Sequence, residues 1–416
     1  MKIKQLNVAN LRAFDQASFE FDPKFTLLVG VNGVGKTTTL EALRICLSRL
    51  LPKFTASRSR ADDFDNNDIQ VGASALTVDF DFSINGDPHQ LLIHKQREQH
   101  RPDKPGSVRQ ETIDTPDREI LTPEFGSSTK AFKEADKQPV AVYFATRRSL
   151  VSDEQPKSGR ASGGKATAYA DALVERPLRL AELAFWMHAQ DVLSAELPRA
   201  KLHLDAMRAA ASRFLPDCSD LRAEVVERPS LLVEKYGHTL DVRQLSDGER
   251  SMLALVLDLA RRLSQANPGL DDPVRDGQGI VLIDEIDLHL HPQWQRKVIR
   301  QLTETFPSCQ FIATTHSPQV IGEVPHEQIQ MIKDGKVVSP TRSFGIDSSR
   351  VLEELMDTAP RNKSVQEQIG EIALLVMAKK SDEATAKIES LAREIGESDP
   401  EIVRARTLLD FMEDDA

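Results

Sequence analysis

The period of the hydrophobic pattern changes several times along the chain, and each change marks an element. The opening MKIKQLNVANLRAF alternates apolar and polar residues, as a strand with one buried face does. Phe25-Thr-Leu-Leu-Val29 is a short apolar run entering a glycine turn, and from Thr37 to Leu51 the residues Leu40, Leu43, Leu47 and Leu50 fall on one helical face. The spacing predicts strand, loop and helix in succession. Two further runs between 75 and 94 flank Asn85-Gly86, a pair suited to a tight hairpin.

Residues 95–137 are rich in Lys, Arg, Pro, Asp and Thr without any period, the composition of an exposed insertion. PVAVYFA (139–145) is an apolar β-rich run that empties into Arg147, Arg148 and a Ser- and Gly-rich loop, and 169–215, with few breakers, predicts a helical insert. LLVEKYGHTLDV reads as a hairpin around Gly237, and IVLIDE (280–285) and QFIATTHS (310–317) as buried strands. Beyond 344 the pattern turns helical, with Ile369, Ile372, Leu375 and Val376, then Ala384, Ile388, Leu391 and Ile395. No internal repeat and no sustained heptad is present. The expected organisation is α/β: 1–94 and 230–343 as two parts of one head, 95–229 as an insertion of loop, strand and helix, and 344–416 as a helical appendix.

The chain has 416 residues, enough for a core that needs no covalent staple. Its three cysteines, Cys46, Cys218 and Cys309, are too few and too far apart in sequence for a disulfide framework or a four-ligand zinc site, which points to a reducing, cytoplasmic setting. No run approaches the roughly 18 apolar residues of a membrane span, and the opening lacks a signal-peptide core. With Lys+Arg 53 against Asp+Glu 64 the formal charge is −11, so a nucleic-acid surface would have to be a local patch.

Gly30-Val-Asn-Gly-Val-Gly35-Lys36-Thr37 fits G-x-x-x-x-G-K-[ST] between an expected strand and helix. Its glycines let the backbone wrap a phosphate chain, Lys36 pairs with the β- and γ-phosphates, and Thr37 offers a hydroxyl to Mg²⁺. The strand ending in Asp284-Glu285 supplies two roles, Asp284 for the metal and Glu285 to deprotonate attacking water. Ser246 and Glu249 have the spacing of a capping box, which by itself only starts a helix; with Gly248 the same N-terminus also offers a phosphate site. Two near matches are set aside. Gly159 to Lys165 ends in Ala166 and lacks the metal-binding hydroxyl, and Asp63 to Asn67 lacks the Gly and Glu of a calcium loop.

GVNGVGKT, LSDGER, IVLIDE, Ile286-Asp287-Leu-His289-Leu-His291-Pro292 and Thr315-His316-Ser317-Pro318 stand in the order of Walker A, signature, Walker B, D-loop and H-loop. Over about 1–94 and 230–340 the chain resembles the ABC-type ATPase heads of the SMC, RecF and OLD group. The resemblance implies a P-loop mixed or parallel sheet with an antiparallel β subdomain, binding ATP and Mg²⁺ through Asn32, Gly33, Gly35, Lys36, Thr37 and Thr38. It implies a homodimer or higher even oligomer, each ATP lying between one Walker A and the partner's Ser246, Gly248 and Glu249. Asp287 would then communicate across the interface, His316 would contact the γ-phosphate, and Arg12 would lie near the nucleotide. These assignments account for His289, His291 and His316 without a metal cluster. The expected Gln loop is missing, Arg147 and Arg148 standing where it would be.

Within that group the chain resembles most the AAA-family ATPases of anti-phage defence, of the Septu and retron-associated type, which operate with a separate HNH-type nuclease. A RecF-like repair ATPase is the second reading and a transporter nucleotide-binding subunit the last, since LSDGER departs from the transporters' LSGGQ. Only about a hundred helical residues follow the H-loop, so a nuclease activity would come from another chain. The basic run from His94, Lys95 and Arg97 through Arg101, Lys104 and Arg109 is either a backbone contact for nucleic acid or a solvated loop, and Glu98 and Asp103 within it favour the latter.

Overall fold

The computed structural model describes residues 1–97, 118–121, 133, 135, 137–149, 164–177, 179–226 and 228–414. Arg101, Lys104, Arg109 and most of the near-match loop at 159–165 lie outside the described residues. Two compact units divide the chain, Met1–Asp347 and Ser348–Ala416. Among the described residues no helix is long and apolar enough to cross a membrane.

The first unit opens with strands β1 (Lys2–Leu11), β2 (Phe14–Glu20) and β3 (Phe25–Val29), helix α1 (Lys36–Phe54), and strands β4 (Ala75–Ile84), β5 (Asp87–Gln96), β6 (Arg118–Leu121) and β7 (Val140–Phe144). Helices α2 (Leu180–Ser194) and α3 (Pro198–Phe214) come next, then β8 (Cys218–Val225), β9 (Pro229–Lys235), β10 (His238–Asp241) and helix α4 (Asp247–Ala266). β11 (Gly279–Ile283), helix α5 (Val298–Thr305), β12 (Cys309–Thr315), β13 (Ile329–Lys333) and β14 (Lys336–Val338) complete it.

The central sheet has the order β14-β13-β3-β12-β11-β7, parallel from β13 to β7 and antiparallel at β14. β3, β7, β11 and β12 are buried at every position, so their sequences are mainly apolar, as in strands covered on both faces, with Thr26 of β3 and Gln310, Thr314 and Thr315 of β12 as polar exceptions. Register pairs Val29 with Thr315, and Ile283 with both Ala313 and Phe144. The carboxyl ends of four strands thus lie side by side, and the loops leaving them share one crevice.

A second sheet, β2-β1-β4-β5-β6, is antiparallel and alternates: Ile3, Leu6 and Val8 of β1 point into the core. Gln310 of β12 ties the two sheets together. Its fully buried side chain accepts from the Ile3 amide at 2.7 Å and donates to the carbonyls of Ile3 and Asp22, both at 2.9 Å.

The insert is less continuously helical than its composition suggests. Lys165–Tyr169 is a short 3-10 turn, and regular helix begins only at Leu180, beyond Pro177, whose ring disfavours helix in the residue before it. Pro198 opens α3 in the first turn, where its missing N–H costs nothing. The hairpin expected around Gly237 gains a third strand, β8, giving the order β10-β9-β8.

α4 is buried along most of its length and carries a charged cluster inside the unit. Asp258 accepts from Arg261 at 2.5 Å and Arg262 at 2.7 Å, with Arg176 at 3.9 Å, and Arg262 also donates to the carbonyls of Ala168 and Ala170. Burial alone would raise the Asp258 pKa, but the three guanidinium groups outweigh it and hold the carboxyl far below its ordinary range.

The second unit is four helices, α6 (Ser348–Met356), α7 (Lys363–Met377), α8 (Ser381–Ile395) and α9 (Pro400–Asp414). Its core joins Ile372 and Val376 to Ala384, Ile388 and Leu391 and to Ile402 and Leu409, the faces marked by the helical period. Arg361 and Asp399 close it with an ion pair of 2.8 Å.

Removing the anion of the buried cluster leaves its guanidinium groups uncompensated. Asp258→Ala is expected to cost about 3–5 kcal/mol, read as a lower urea midpoint at unchanged slope. A loss below about 1 kcal/mol would mean that backbone carbonyls alone carry Arg262.

Candidate functional site

The loop between β3 and α1 is shaped by what surrounds it. Gly35 stands at φ 112°, and a Cβ there would meet the Phe14 ring at 2.3 Å, so the loop can pass over Phe14 only with glycine at this point. α1 starts directly after it with no acidic residue in its first turn, leaving the helix N-terminus open to an anion. Lys36 folds back so that its ammonium donates to the carbonyls of Gly30 at 2.7 Å and Val31 at 3.0 Å. Burial pushes its pKa down to about 8, against the attraction of Asp284, Glu285 and Asp287. Asn32 and Gly33 are exposed at the loop tip, and Thr38 is half-buried beside Thr37.

The crevice brings the two motifs together. The Thr37 hydroxyl lies 3.1 Å from one Asp284 oxygen and 3.3 Å from the other, while Thr314 at the end of β12 donates to Asp284 at 2.6 Å. The Thr314 hydroxyl also accepts from the Glu285 amide at 2.7 Å, so one β12 side chain fixes both acids. Thr315 does the same for Asp287, donating at 2.5 Å. Thr37 and Asp284 form a pair of hard oxygen donors of the kind Mg²⁺ takes, and the open helix N-terminus with Lys36 suits a phosphate chain. Half-buried His316 follows on the next residue, its pKa lowered by burial and then by Lys36.

Arg148, which the motif reading left without a role, lies under these acids. It is 3% exposed and donates to the carbonyls of Asp284 and Glu285, the second at 2.5 Å, and to that of Ala145 at 3.2 Å. Glu285 itself sits at φ 49°, a region that non-glycine residues seldom occupy. Burial pushes the Arg148 guanidinium down to about 10, against the field of Asp284, Asp287 and Glu285. Its neighbour Arg147 is exposed and faces Glu175. Nothing in the local sequence marks Arg148, because its partners lie more than a hundred positions away.

Other candidates sit apart from this cluster. Ser246 caps α4, its hydroxyl donating to Glu249 at 2.8 Å and its amide at 3.1 Å, and Lys235 pairs with the other Glu249 oxygen. Burial opposes ionisation of Glu249, but Lys235 and Ser246 outweigh it and hold the carboxyl below its usual range. Gly248 is pressed against the D-loop of the same chain, where a Cβ would meet the His289 carbonyl at 2.5 Å. Among the described residues no hydrogen bond or ion pair joins Ser246, Gly248 or Glu249 to the phosphate loop. Arg12, at φ 49°, pairs with Glu41 at 2.6 Å and Asp68 at 2.8 Å. His291 caps the turn Pro292–Gln295, and no group of three or more His, Cys, Asp or Glu placed for a metal occurs among the described residues.

Comparison with known proteins finds ATPase families and relatives. Residues 1–147 match the family described as "AAA ATPase domain", and 189–322 the family described as "AAA domain, putative AbiEii toxin, Type IV TA system". The chain is 27% identical to the "Retron Ec83 probable ATPase" of Escherichia coli, over 98% of this chain and 86% of that one. It is 23% identical to the Septu protein PtuA of Bacillus thuringiensis, over 77% and 72% of the two chains. An SMC head solved bound to the C-winged helix domain of ScpA aligns with a TM-score of 0.48 and 17% identity, covering 82% of this chain and 98% of that one.

Two outcomes follow from the geometry. Arg148→Ala frees the peptides of Asp284 and Glu285, so turnover is expected to fall by about a hundredfold with nucleotide affinity changed less than about threefold. Equal losses in both would make Arg148 a part of the binding loop instead. Phosphate bound at Lys36 would restore the charge that burial removes, so binding takes up a proton above about pH 8. Affinity is then expected to fall as pH rises through that value, and titration calorimetry in buffers of different ionisation enthalpy reads the uptake. A flat affinity profile in Lys36→Met would confirm the source of the proton.

Proposed function

We infer, from the matches to AAA ATPase families over two parts of the chain and the similarity to a retron probable ATPase, that this ATP hydrolase is Mg²⁺-dependent and that its two heads close on ATP and thereby gate a separate effector. The carrying observation is the division of the candidate residues. Lys36, Thr37, Asp284 and Glu285 share one crevice, whereas Ser246 is exposed on the capped end of α4 with no link to that crevice. A second copy supplies what a single head lacks, and residues 1–94 and 230–343, with β7 and Arg148 from the segment between them, form the working head.

In this reading Lys36 and the loop amides around Asn32, Gly33, Gly35 and Thr38 hold the phosphates, and Thr37 and Asp284 hold the metal. The metal, when bound, draws charge from the β- and γ-phosphate oxygens. Glu285 takes a proton from the attacking water. Its amide is anchored to Thr314 and its carbonyl to Arg148, so the carboxylate is aimed before nucleotide arrives. His316 faces the γ-phosphate, and Asp287, held by Thr315, reaches toward the other protomer. The Ser246 hydroxyl must turn from Glu249 to receive the neighbour's phosphate, and Lys235 offsets the carboxylate charge that would otherwise repel it.

The similarity to retron and Septu proteins supports a role in anti-phage defence; to this we add a cytoplasmic setting and a separate HNH-type nuclease as the effector, as the motif resemblance implies. The helical unit beyond Ser348 is the recruiting element in this scheme, and its exposed Leu374, Met377 and Phe411 offer an apolar contact.

A mixing experiment tests the composite site. Ser246→Arg fills the space for the partner's phosphate and Lys36→Ala empties the loop, so each alone is expected to be inactive. Mixed, they regenerate one intact site per heterodimer, up to about a quarter of wild-type turnover if chains pair at random. Glu285→Gln is expected to hold ATP and stay dimeric in the ultracentrifuge. Full-rate hydrolysis by a monomer, or a mixture as inactive as its components, would sink the composite site.

A further inference from the structure

The N-terminus of α4 is built differently from that of α1. α1 begins with no acidic side chain in its first turn, whereas α4 carries Asp247 and Glu249 there. An end that receives a phosphate is hindered by carboxylates, which repel it. Asp247 has its own partner, Arg250 at 2.6 Å. Glu249 is held by three donors: one carboxylate oxygen accepts from the amide of Ser246 at 3.1 Å and from its hydroxyl at 2.8 Å, and the other accepts from the ammonium of Lys235.

Backbone N–H, hydroxyl and ammonium are the donors that a phosphoryl group takes in a phosphate loop. Here they converge on a carboxylate of the same chain. The lysine is surplus to the helix cap, because the capping box is complete with Ser246 and Glu249 alone. Lys235 is also fixed at its base and free at its tip. It ends β9 and is paired on both sides, with His238 of β10 and Cys218 of β8, so only the side chain can swing. The ammonium lies 5.4 Å from the centre of the Tyr236 ring, which is 76% exposed on the hairpin turn. Lys235 and Glu249 are each partly exposed and Ser246 lies open, so an anion brought by a second chain can reach all three.

We propose that Lys235 is a phosphate-binding residue acting across the dimer, and that the Glu249 carboxylate is an internal stand-in which the phosphate displaces. This rests on the two-head reading and adds a residue to it. In the single head Glu249 fills the place of the neighbour's γ-phosphate. On closure that phosphate, with more charge and more acceptor oxygens than a carboxylate, takes the Ser246 hydroxyl and the Lys235 ammonium together, and Glu249 turns outward. Lys235 then stabilises the charge spread over the phosphoryl oxygens during transfer to water. An unpartnered head meanwhile keeps its receiving end occupied and closed to other anions.

The full chain carrying Lys235→Met is expected to bind ATP within about threefold of the wild type, because Lys36 and its loop are untouched, and to turn over about a hundredfold more slowly. Retained binding is the check on folding. In a Glu285→Gln background, the ATP concentration that gives half-maximal dimer in the ultracentrifuge is expected to rise about tenfold with Lys235→Met. With Glu249→Gln, which keeps a capping-box residue, it is expected to fall about tenfold. The double variant Lys235→Met/Glu249→Gln separates direct contact from neutralisation of the carboxylate. It is expected to turn over as slowly as Lys235→Met, whereas recovery to the wild-type rate would mean that Lys235 only cancels the charge of Glu249, and overturns the assignment. Full turnover in Lys235→Met overturns it too, as does a Glu249→Gln chain that closes no more readily than its parent. An inactive mixture of Ser246→Arg and Lys36→Ala removes the two-head reading itself; a mixture that recovers beside a fully active Lys235→Met removes the role of Lys235 alone.

Discussion

Parallel pairing of β3, β12 and β11 is the constraint on which the rest of the molecule depends. These strands come from opposite ends of the chain and are buried on both faces, so alternation of apolar and polar residues cannot set their register, as it does in β1 and β4. Polar side chains at the strand ends do so instead. Gln310 locks the start of β12 to Ile3 and Asp22, and Thr314 locks its end to Asp284 and Glu285. A slip of one residue would break both ends together, leaving buried polar groups unpaired at each. The register that makes the core also aligns the acids with Thr37.

Much of this arrangement was legible in the sequence, for a definite reason. The phosphate loop, the Asp284-Glu285 strand end and the capped start of α4 are local constellations, in which fixed spacing implies fixed geometry. The helical tail was equally plain, since Ile372, Ala384 and Ile388 follow one period and meet in one core. What escaped notice depends on partners distant in sequence. Arg148 is an ordinary basic residue until β7 is paired beside β11. Thr314 and Gln310 read as interruptions of an apolar strand. β8, CSDLRAEV, carries too many exposed polar positions to read as a strand beside a helical insert, and Pro177 delays α2 through a backbone rule that composition does not display.

The crevice also shows how a strained acid is kept in place. A residue at φ 49° relaxes unless its neighbours prevent it. Around Glu285 the restraint comes from the Thr314 hydroxyl on the amide and the Arg148 guanidinium on the carbonyl. The two restraints lie on different elements, β12 and the turn after β7, and the second adjoins the insert. The acid's position is therefore a property of the whole sheet and of what happens at its β7 edge.

Gly248 and His289 are pressed together within one chain, the start of α4 against the D-loop, with no room for a single methyl group between them. The two segments cannot drift independently over evolutionary time: a side chain gained at 248 demands a rebuilt backbone at 289, and a reshaped D-loop demands that position 248 stay bare. Variation at one should leave its mark at the other in any lineage that retains the engine. A swap of either segment alone between distant relatives would give a protein that folds around the wrong seat, whereas the pair exchanged together would travel as one heritable part.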